Sequence, residues 1–444
     1  MSIPNYRILR KFFAGVVFTA LAAGTTPAIA EVLDEITVTA QKREADLQST
    51  PIAITALTGE ALAKARVFSV NDLAASTPAL SLMAGSSPVD IELSMRGITN
   101  TRNDSPAGEA PVGTFFDEVY IGRNGGINLD FYDIERVEVI RGPQGVLLGK
   151  SVIGGALSII TNKPEFEKTA AVTVGIGNYE SQLLSGHINS GLSDRWAGRV
   201  SYQARKRDGF AYDILHDREL ENQDSLQLRA QLLYEPADDD GWHARIIADY
   251  GRDNSNGHNS VAIPDGIGGF QPWSQLRAFL GMTDPRVSAP EHTRYAGDDA
   301  PLNQGLSRES VGLTLHLERN FNGMTFKSIT SYRDARANNL YAQIGIGGDV
   351  LDDPEAFPNV TIADFLASSA TAFTLFTEPV REDADITAFS QEFRLQSDNE
   401  SNFDWIAGVF YKSDDIDKFD RFFAEVPSGF AAGLSGESHW DNRG

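Results

Sequence analysis

The sequence lacks cysteine altogether and holds only 38 lysine and arginine residues against 61 aspartate and glutamate residues. Without cysteine, the chain has neither a disulfide framework nor a thiolate-ligated metal site, although an oxidising compartment is not excluded. The formal net charge of −23 argues against nucleic acid as a partner, because a nucleic-acid-binding surface needs clustered cations. The 444 residues are 41% apolar and 9% aromatic, enough for two or three ordinary domains or one large β architecture.

Long apolar runs are missing beyond the N-terminus. Three cations within residues 7–11 precede an apolar run at 12–23, and a small-residue cleavage motif ends at Ala30. This order predicts a secretory signal peptide over residues 1–30, with an amphipathic N-terminal helix as the alternative. No later run reaches the roughly 20 apolar residues that a transmembrane helix needs, so any membrane crossing must use strands.

Motifs for enzymatic chemistry are missing as well. The seven histidines are dispersed without metal-ligand spacing, and no Gly-x-Ser-x-Gly motif occurs. Gly149, Lys150 and Ser151 match the end of a phosphate-binding loop, but Gln144 stands where that motif requires glycine. The sequence therefore predicts no catalytic residue, no metal site and no cofactor. A secreted enzyme with dispersed catalytic residues stays open as an alternative.

The most informative stretch is residues 133–164, in which two strand-like segments flank a glycine-rich link. Aliphatic and β-branched residues at 137–140 and 155–161 have strand composition. The glycines between them permit positive φ angles and close backbone approach. The stretch therefore predicts two strands of a compact sheet joined by a tight connection.

Residues 47–132 have the pattern of a small mixed domain. The predicted elements are strands at 51–57, 91–98 and 113–121 and helices at 59–68 and 69–75. Polar turn residues at 101–111 predict a loop between two of these strands. Together with the glycine-rich stretch, this pattern predicts an α+β domain over residues 47–164.

After residue 164 the pattern changes to long alternating strands. At 225–234, apolar residues occupy one face, and Gln227, Arg229 and Gln231 occupy the other. Nine strands are predicted, at 168–178, 180–192, 196–207, 224–235, 241–252, 309–319, 324–334, 388–397 and 403–412. From the second strand onward, short connections alternate with long ones. A soluble sandwich has no reason to show this parity, whereas an outer-membrane β-barrel does.

The run ERVEVIRGPQGVLLGKSVIGGALSIITNKP, residues 135–164, resembles the end of the plug domain of TonB-dependent outer-membrane receptors. Members of that family carry a similar Arg-Gly-Pro turn, glycine pair and closing strand. The resemblance implies an α+β plug domain inside a transmembrane antiparallel β-barrel. Residues 165–444 suffice for about nine or ten of the 22 strands with which such transporters close, so we interpret the barrel as incomplete in this chain.

The resemblance also implies a contact for an energy-coupling protein. A short segment near the N-terminus is similar to the TonB box of the family. It comprises Ile36, Thr37, Val38, Thr39 and Ala40. An extended segment of this kind, here residues 35–40, would pair its backbone with the TonB protein. The alternative is an ordinary first strand of the domain. Residues 31–46 are thus expected to form the box and its linker.

In receptors of that family, arginine–glutamate pairs across the boundary with the barrel hold the plug, and the resemblance implies such pairs here. Unpaired charges inside a barrel would be costly, which makes Arg96 and Arg141 of the plug candidates for such pairs. Glu318 and Glu392, on lumen faces of predicted strands, are the expected partners. The alternative is that all four are ordinary polar residues of the lumen.

The implied function is TonB-dependent active import of a scarce large nutrient, a ferric siderophore first of all, across the bacterial outer membrane. Arg102, Asn103 and Asp104 of the polar loop are predicted to touch the substrate, the alternative being a solvated loop. The expected partners are the TonB protein, outer-membrane lipid and the extracellular substrate, for a monomeric chain. Cobalamin, glycans or aromatic compounds are alternative cargoes. A passive porin, a surface-binding barrel and a non-functional truncated receptor are alternative classes.

Overall fold

The computed structural model describes a mixed α/β unit, called here the plug, followed by a long antiparallel sheet, called the wall. The described residues are 37–39, 42–43, 45–48, 50–84, 91–99, 110–121, 130–148, 152–213, 218–238, 240–255, 295–297, 305–321, 323–342, 379–397, 404–423 and 435–443.

In the described residues, the plug contains short strands and three short helices. They are β1 (Thr37–Val38), β2 (Ala45–Asp46), β3 (Ala53–Thr58), α1 (Gly59–Lys64), α2 (Val70–Ser76), β4 (Leu80–Ala84), β5 (Ile91–Met95), β6 (Val112–Phe116), β7 (Val119–Tyr120), β8 (Ile134–Arg141), α3 (Gly145–Leu148) and β9 (Gly155–Thr161). The central sheet has the order β3-β8-β9-β6-β7, in which only β9 and β6 run parallel. The pairs β1-β2 and β4-β5 form two further sheets. This is the expected α+β plug.

Capping residues determine where the two longer helices begin. The side chain of Thr58 accepts a hydrogen bond from the Ala61 N–H at the start of α1. At the start of α2, Ser69 accepts one from the Asp72 N–H, and the Ser69 hydroxyl donates to the Asp72 carboxylate over 2.9 Å. This reciprocal arrangement satisfies donors that the first turn of the helix leaves without a partner.

The plug has a conventional apolar core between its sheet and helices. Among the buried side chains are Leu73, Met95, Val137, Val139 and Leu157, none of which is measurably exposed. At Gly155 the φ angle is +149°, and a Cβ atom there would lie 2.2 Å from the Met95 Sδ and 2.4 Å from the Ile140 carbonyl oxygen. Only glycine fits this close approach, as the glycine-rich link suggested.

The wall is a ten-stranded antiparallel sheet in which each strand pairs with its neighbour in chain order. Connections of the wall hold β13 (Ala211–Asp213), β14 (Arg218–Leu220) and β17 (Tyr295–Gly297), which form a separate small sheet. The strands of the wall are β10 (Thr169–Ile176), β11 (Gln182–Gly191), β12 (Trp196–Arg207), β15 (Gln223–Tyr234), β16 (Trp242–Asp253), β18 (Gly305–Phe321), β19 (Met324–Ala342), β20 (Pro379–Ser397), β21 (Ile406–Phe423) and β22 (Ser435–Arg443).

The connections of the wall alternate in length, as predicted. Short connections lie at 192–195, 235–241, 322–323 and 398–405, and long ones at 208–222, 254–304 and 343–378. Because neighbouring strands are antiparallel, these four short connections lie at one rim of the sheet. The three long ones lie at the other rim, together with the connections 177–181 and 424–434. A transmembrane β-barrel has this asymmetry.

The wall carries its apolar side chains on the outside. Along β15, Gln227, Arg229 and Gln231 are 6%, 3% and 5% exposed, whereas Leu228 is 41% exposed. The same inversion recurs on β10, β11 and β12, where Val174, Ile188 and Val200 are exposed at 73%, 66% and 53%. A broad apolar outer face suits lipid, and a polar inner face suits a wet lumen. The facing predicted for residues 225–234 is confirmed.

The plug lies against the polar face of the wall. Arg245 donates to the Thr161 hydroxyl over 2.7 Å, and the side-chain amide of Gln231 donates to the Asn162 carbonyl over 2.9 Å. The predicted fold class, a plug domain inside a barrel-type sheet, is therefore confirmed. Within the described residues, β10 and β22 are the two edges of this sheet.

Several element bounds differ from the prediction. The helix predicted over 59–68 ends at Lys64, because Arg66 has a φ angle of +57° and the chain turns there. The strand predicted over 113–121 is divided by a turn into β6 and β7. The strands β4 and β22 were not predicted. None of the described helices is long and apolar enough to cross a bilayer.

Candidate functional site: the plug–wall interface

A two-residue turn carries two carboxylates from the plug to the wall. Asp117 and Glu118 connect β6 to β7, and their φ angles are +46° and +67°. Positive φ at both central residues is the geometry of a type I′ hairpin turn, whose twist matches that of the flanking strands. The tight turn therefore fixes the position of both side chains, and each meets different cations of the wall.

Glu118 lies between Arg394 and Lys327 of the wall. The Arg394 Nη1 atom donates to Glu118 Oε2 over 2.9 Å, and the Lys327 ammonium pairs with the other oxygen. Burial by itself would raise the pKa of the Glu118 carboxyl, but Lys327, Arg394 and nearby Lys42 hold that pKa well below its usual range. Glu118 is therefore ionised at neutral pH and joined to the wall by two cations.

Asp117 joins the end of β9 to another wall cation. Its carboxylate accepts hydrogen bonds from the Thr161 N–H over 3.0 Å and from the Thr161 hydroxyl over 2.8 Å. The Arg245 Nη1 atom lies 3.5 Å from its Oδ1 atom. Burial acts to raise the pKa of Asp117, but Arg245 and Arg229 outweigh burial and lower it.

A second pair of plug carboxylates contacts β12. The Arg199 Nε atom donates to Asp133 Oδ2 over 2.7 Å, and Arg205 Nη1 lies 3.4 Å from Asp130 Oδ1. Asn162 also donates to Asp133, over 2.9 Å. Burial acts to raise the pKa of Asp133, but the hydrogen bonds from Arg199 and Asn162 outweigh it and lower that pKa. These charge-assisted hydrogen bonds fix the start of β8 against the wall.

Arg229 of the wall packs between two aromatic rings of the plug. Its guanidinium carbon lies 4.7 Å from the centroid of the Phe116 ring and 4.4 Å from that of Tyr132. Both distances suit cation–π contact, which grows stronger in a buried setting. Burial also raises the pKa of the Tyr132 hydroxyl to about 12, so Tyr132 stays neutral there.

The described part of the predicted TonB box is folded into the plug. Thr37 and Val38 form β1 and pair with β2, and Val38 is only 1% exposed. The Thr39 N–H and hydroxyl both donate to the fully buried Glu138 carboxylate, over 2.9 and 3.2 Å. Arg136 donates to the same carboxylate over 2.8 Å. Ile36 and Ala40 lie outside the described residues.

The linker after the box is tied to the wall. The Lys42 ammonium lies 3.2 Å from Glu392 Oε2, and Arg394 donates to the Lys42 carbonyl over 3.5 Å. Arg43 donates to the Trp405 carbonyl over 2.6 Å and lies 3.4 Å from Asp404. Trp405 and Asp404 belong to a short connection, so the box and its linker lie at the rim of the short connections.

The four residues predicted to form plug–wall ion pairs do not pair with one another. In the described part of the chain, Arg141 donates to the Thr55 hydroxyl of the neighbouring plug strand, and Arg96 occupies a turn after β5 with a φ angle of +54°. Glu392 does contact the plug side, but through Lys42, and Glu318 lies 3.7 Å from Lys327 of its own wall. The predicted arginine–glutamate pairs are thus not seen among the described residues, where the plug body contributes carboxylates and the wall contributes cations.

Those carboxylates, Asp117, Glu118, Asp130 and Asp133, were not predicted. One signal for the first two was present in the sequence, because Asp-Glu interrupts an otherwise apolar strand pattern as a two-residue hairpin turn would. Nothing local marked Asp130 or Asp133. Arg102, Asn103 and Asp104, predicted to touch substrate, lie outside the described residues.

A cavity of about 750 Å³ lies between plug and wall near the box. Charged residues of both units line it, together with Thr39 of the box. Among the residues that the structure describes, no cluster of three or more histidine or acidic side chains is placed to hold a metal ion. The arrangement suits a wet, charged interface that can be remodelled, since polar contacts exchange readily with water.

Comparison with known proteins agrees with this geometry. Residues 46–156 match the family model described as TonB-dependent Receptor Plug Domain. Residues 46–156 thus form a plug domain of the kind that this model describes. The matched residues include the Asp117-Glu118 turn, Asp130 and Asp133, so the four carboxylates that pair with the wall lie within the match.

Curated relatives of this plug-bearing chain are receptors and transporters. The ferrioxamine receptor of Yersinia enterocolitica is 27% identical over 212 residues, which are 43% of this chain and 29% of the relative. The vitamin B12 transporter BtuB of Photobacterium profundum is 28% identical over 183 residues, 40% of this chain and 29% of the relative. The chain thus spans less than a third of the length of these relatives.

Solved structures show that the fold extends through the wall. The ferric yersiniabactin uptake receptor FyuA of Yersinia pestis aligns with a TM-score of 0.63 and 15% identity, covering 88% of this chain and 61% of that one. The FpvAI–pyocin S2 complex aligns with a TM-score of 0.63 and 14% identity, covering 90% of this chain and 45% of that one. Likeness at this identity concerns the fold alone.

Proposed function

We propose that the chain serves in TonB-dependent active import of a scarce, large nutrient across the bacterial outer membrane. A ferric siderophore is the first candidate cargo, because the ferrioxamine receptor is among the relatives. Cobalamin is the second, since a vitamin B12 transporter is similar as well. No chemistry is performed on the cargo in this proposal. The chain acts as a monomer in lipid, with residues 1–30 removed after export.

The observation that carries the proposal is the position of the plug. A folded domain rests against the polar face of a wall whose other face is apolar, and buried ion pairs hold it there. A passive porin needs no such domain in its lumen. A plug fixed by charges instead of an apolar core can be displaced without unfolding its own core, as a gated passage requires.

The box supplies the second half of the proposal. Residues 36–40 are proposed to pair with the TonB protein, and Thr37–Val38 already forms a short backbone pair with β2. Binding of cargo at the long loops, with Arg102, Asn103 and Asp104 as proposed contacts, would shift the plug toward states in which the box is released. The energy-coupling protein would then exchange its own strand for β2.

Uptake of radiolabelled iron tests the proposal in cells that produce the full chain with and without the energy-coupling protein. Val38→Pro removes a backbone donor of the box and should abolish uptake of a ferric siderophore. Gln48→Pro, at an exposed position beyond the box, removes only the exposed hydrogen bond from its N–H to Asp46 Oδ1; it is the matched control and should retain most uptake. Uptake that continues unchanged without the energy-coupling protein would contradict active import.

A further inference from the structure

The plug body and the wall divide the charges of their interface unevenly. In the pairs described for the strands and turns from β6 to β9, the plug contributes only carboxylates, those of Asp117, Glu118, Asp130 and Asp133. The wall contributes only cations, which we call the cation belt: Arg199, Arg205, Arg245, Lys327 and Arg394. The belt extends from β12 across the sheet to β20. In these pairs the plug body therefore supplies the negative charge, whereas the linker before it supplies the cations Lys42 and Arg43 to Glu392 and Asp404.

On two of its strands, the same face also has buried hydrogen-bond donors that lack acceptors. On β12 and β15, the side-chain amide nitrogens of Gln203 and Gln227 and the Nε atom of Arg229 have no acceptor among the described residues. These three side chains are 2%, 6% and 3% exposed. A buried donor without an acceptor costs free energy, so the part of the face formed by β12 and β15 has capacity for more acceptor oxygens than the plug supplies.

We propose that the cation belt binds the cargo during its passage, and that the cargo is therefore a polyanion. Its carboxylate or catecholate oxygens would replace the plug carboxylates on the belt, so that cargo and plug compete for the same cations. This inference rests on the proposed import function and narrows its cargo. It favours an anionic iron chelate over neutral cobalamin or a neutral glycan.

The electrostatic reason lies in what a displaced plug leaves behind. When Glu118 and Asp117 withdraw, Arg245 loses its carboxylate partner, and Lys327 and Arg394 each lose one of two counter-charges while keeping Glu318 and Glu392 of the wall. Such a loss is costly at a largely buried polar face. A passing anion restores those counter-charges, a neutral solute does not, and a cation adds repulsion. The guanidinium groups also present paired donors that match the paired oxygens of carboxylates and catecholates.

The experiment compares uptake of three ferric chelates of similar size by cells that produce the full chain. They are a trianionic tris-catecholate, a neutral tris-hydroxamate and a tris-hydroxamate that bears amines. The readout is the ratio of Vmax/KM for the trianionic chelate to that for the neutral one, normalised to the chain present in the membrane. The unmodified chain should show the order anionic, neutral, cationic.

Two substitutions should move this ratio in opposite directions. Arg245→Gln removes a belt cation and should lower the ratio at least about fivefold, as loss of a charge-assisted contact does. Asp117→Asn removes a competing plug carboxylate and should raise it at least about twofold. Arg199→Gln and Glu118→Gln form a second pair with the same expected signs. Damage to folding would lower uptake of both chelates and leave the ratio unmoved.

Each outcome has a distinct meaning. A ratio that falls in Arg245→Gln and rises in Asp117→Asn supports the belt as the cargo site. Any other pattern, including an unchanged ratio or a preference for the neutral chelate, overturns it. Uptake of all three chelates that does not depend on the energy-coupling protein would instead contradict the import function, whatever the ratio.

Discussion

The plug and the wall bury opposite kinds of side chain. In the plug, Leu157 and Val139 are fully buried, as in a water-soluble domain. In the wall, Arg229 and Gln231 are buried, while Leu228 lies on the outer face. Apolar side chains are thus buried up to the end of β9, and polar side chains are buried in the wall strands that follow. The difference teaches that each unit follows its own rule: the plug buries apolar side chains, whereas the wall buries polar ones and has an outer face that suits lipid.

The two units meet through polar side chains, since the plug presents its charged surface to the polar face of the wall. Their mutual attachment therefore consists of ion pairs such as Asp133–Arg199 and Glu118–Arg394, and not of a shared apolar core. Changes within each unit and changes between them should consequently have separate effects. The following expectations test that separation, beginning with the largest effect.

The strongest test adds one carbon to the plug core. Gly155→Ala forces a Cβ atom onto the Met95 sulfur and the Ile140 carbonyl, and it should lower the plug's free energy of unfolding by more than about 4 kcal/mol. The matched change Gly142→Ala meets no atom within 4 Å and should cost only about 1 kcal/mol, through its φ angle of +101°. Hydrogen exchange of the β9 amides measures both. Equal effects would contradict the close packing described.

The next test breaks the attachment without altering either core. Arg199→Gln leaves the Asp133 carboxylate buried with a lost partner and should weaken plug attachment by about 3 kcal/mol. Arg336 is 68% exposed and its partner Asp385 is 71% exposed, so Arg336→Gln should have no measurable effect. Limited proteolysis of the plug in the purified chain reports both, and equal protection of the two variants would show that the interface pair contributes little.

The same truncation should have different costs in the two units. Leu157→Ala creates a cavity in the plug core and should cost about 3 kcal/mol of plug unfolding free energy. Leu228→Ala, on the outer face of the wall, should cost less than about 1 kcal/mol because no internal cavity forms. Denaturant titration followed by hydrogen exchange compares them. A cost for Leu228→Ala as large as that for Leu157→Ala would mean that the outer face packs against protein.

Acid should loosen the attachment modestly before it unfolds either unit. The pKa values of Asp117, Glu118 and Asp133 are lowered in the folded chain. Their stabilisation is therefore complete above the ordinary carboxyl pKa of about 4 and is lost as pH falls further toward the folded values. Plug mobility should rise below about pH 4.

A single spin label can follow this acid transition. Because the chain has no cysteine, Gln48→Cys gives one labelling site at an exposed position. Glu118→Gln should flatten the dependence of label mobility on pH. A pH profile that stays the same in this variant would argue that Glu118 does not hold the plug.

Local patterns predicted the elements of the fold but not their partners. The strands at 155–161 and 196–207 match β9 and β12 residue for residue, because β-branched composition in one and alternation in the other define them. The outer half of β19 escaped prediction, since Arg336 and its neighbours lack outward apolar side chains. The Lys42–Glu392 contact joins residues 350 positions apart, and no local pattern records such a pairing.

The length of the middle strands has a consequence for the surroundings of the molecule. β19 and β20 each have 19 residues, which at roughly 3.3 Å per residue and a tilt near 45° reach about 45 Å along the barrel axis. An apolar band is only about 25 Å tall. The rest of both strands, which we call the polar collar, extends beyond this band on the side of the long connections. A solute arriving from that side would touch this collar before it came near the apolar band.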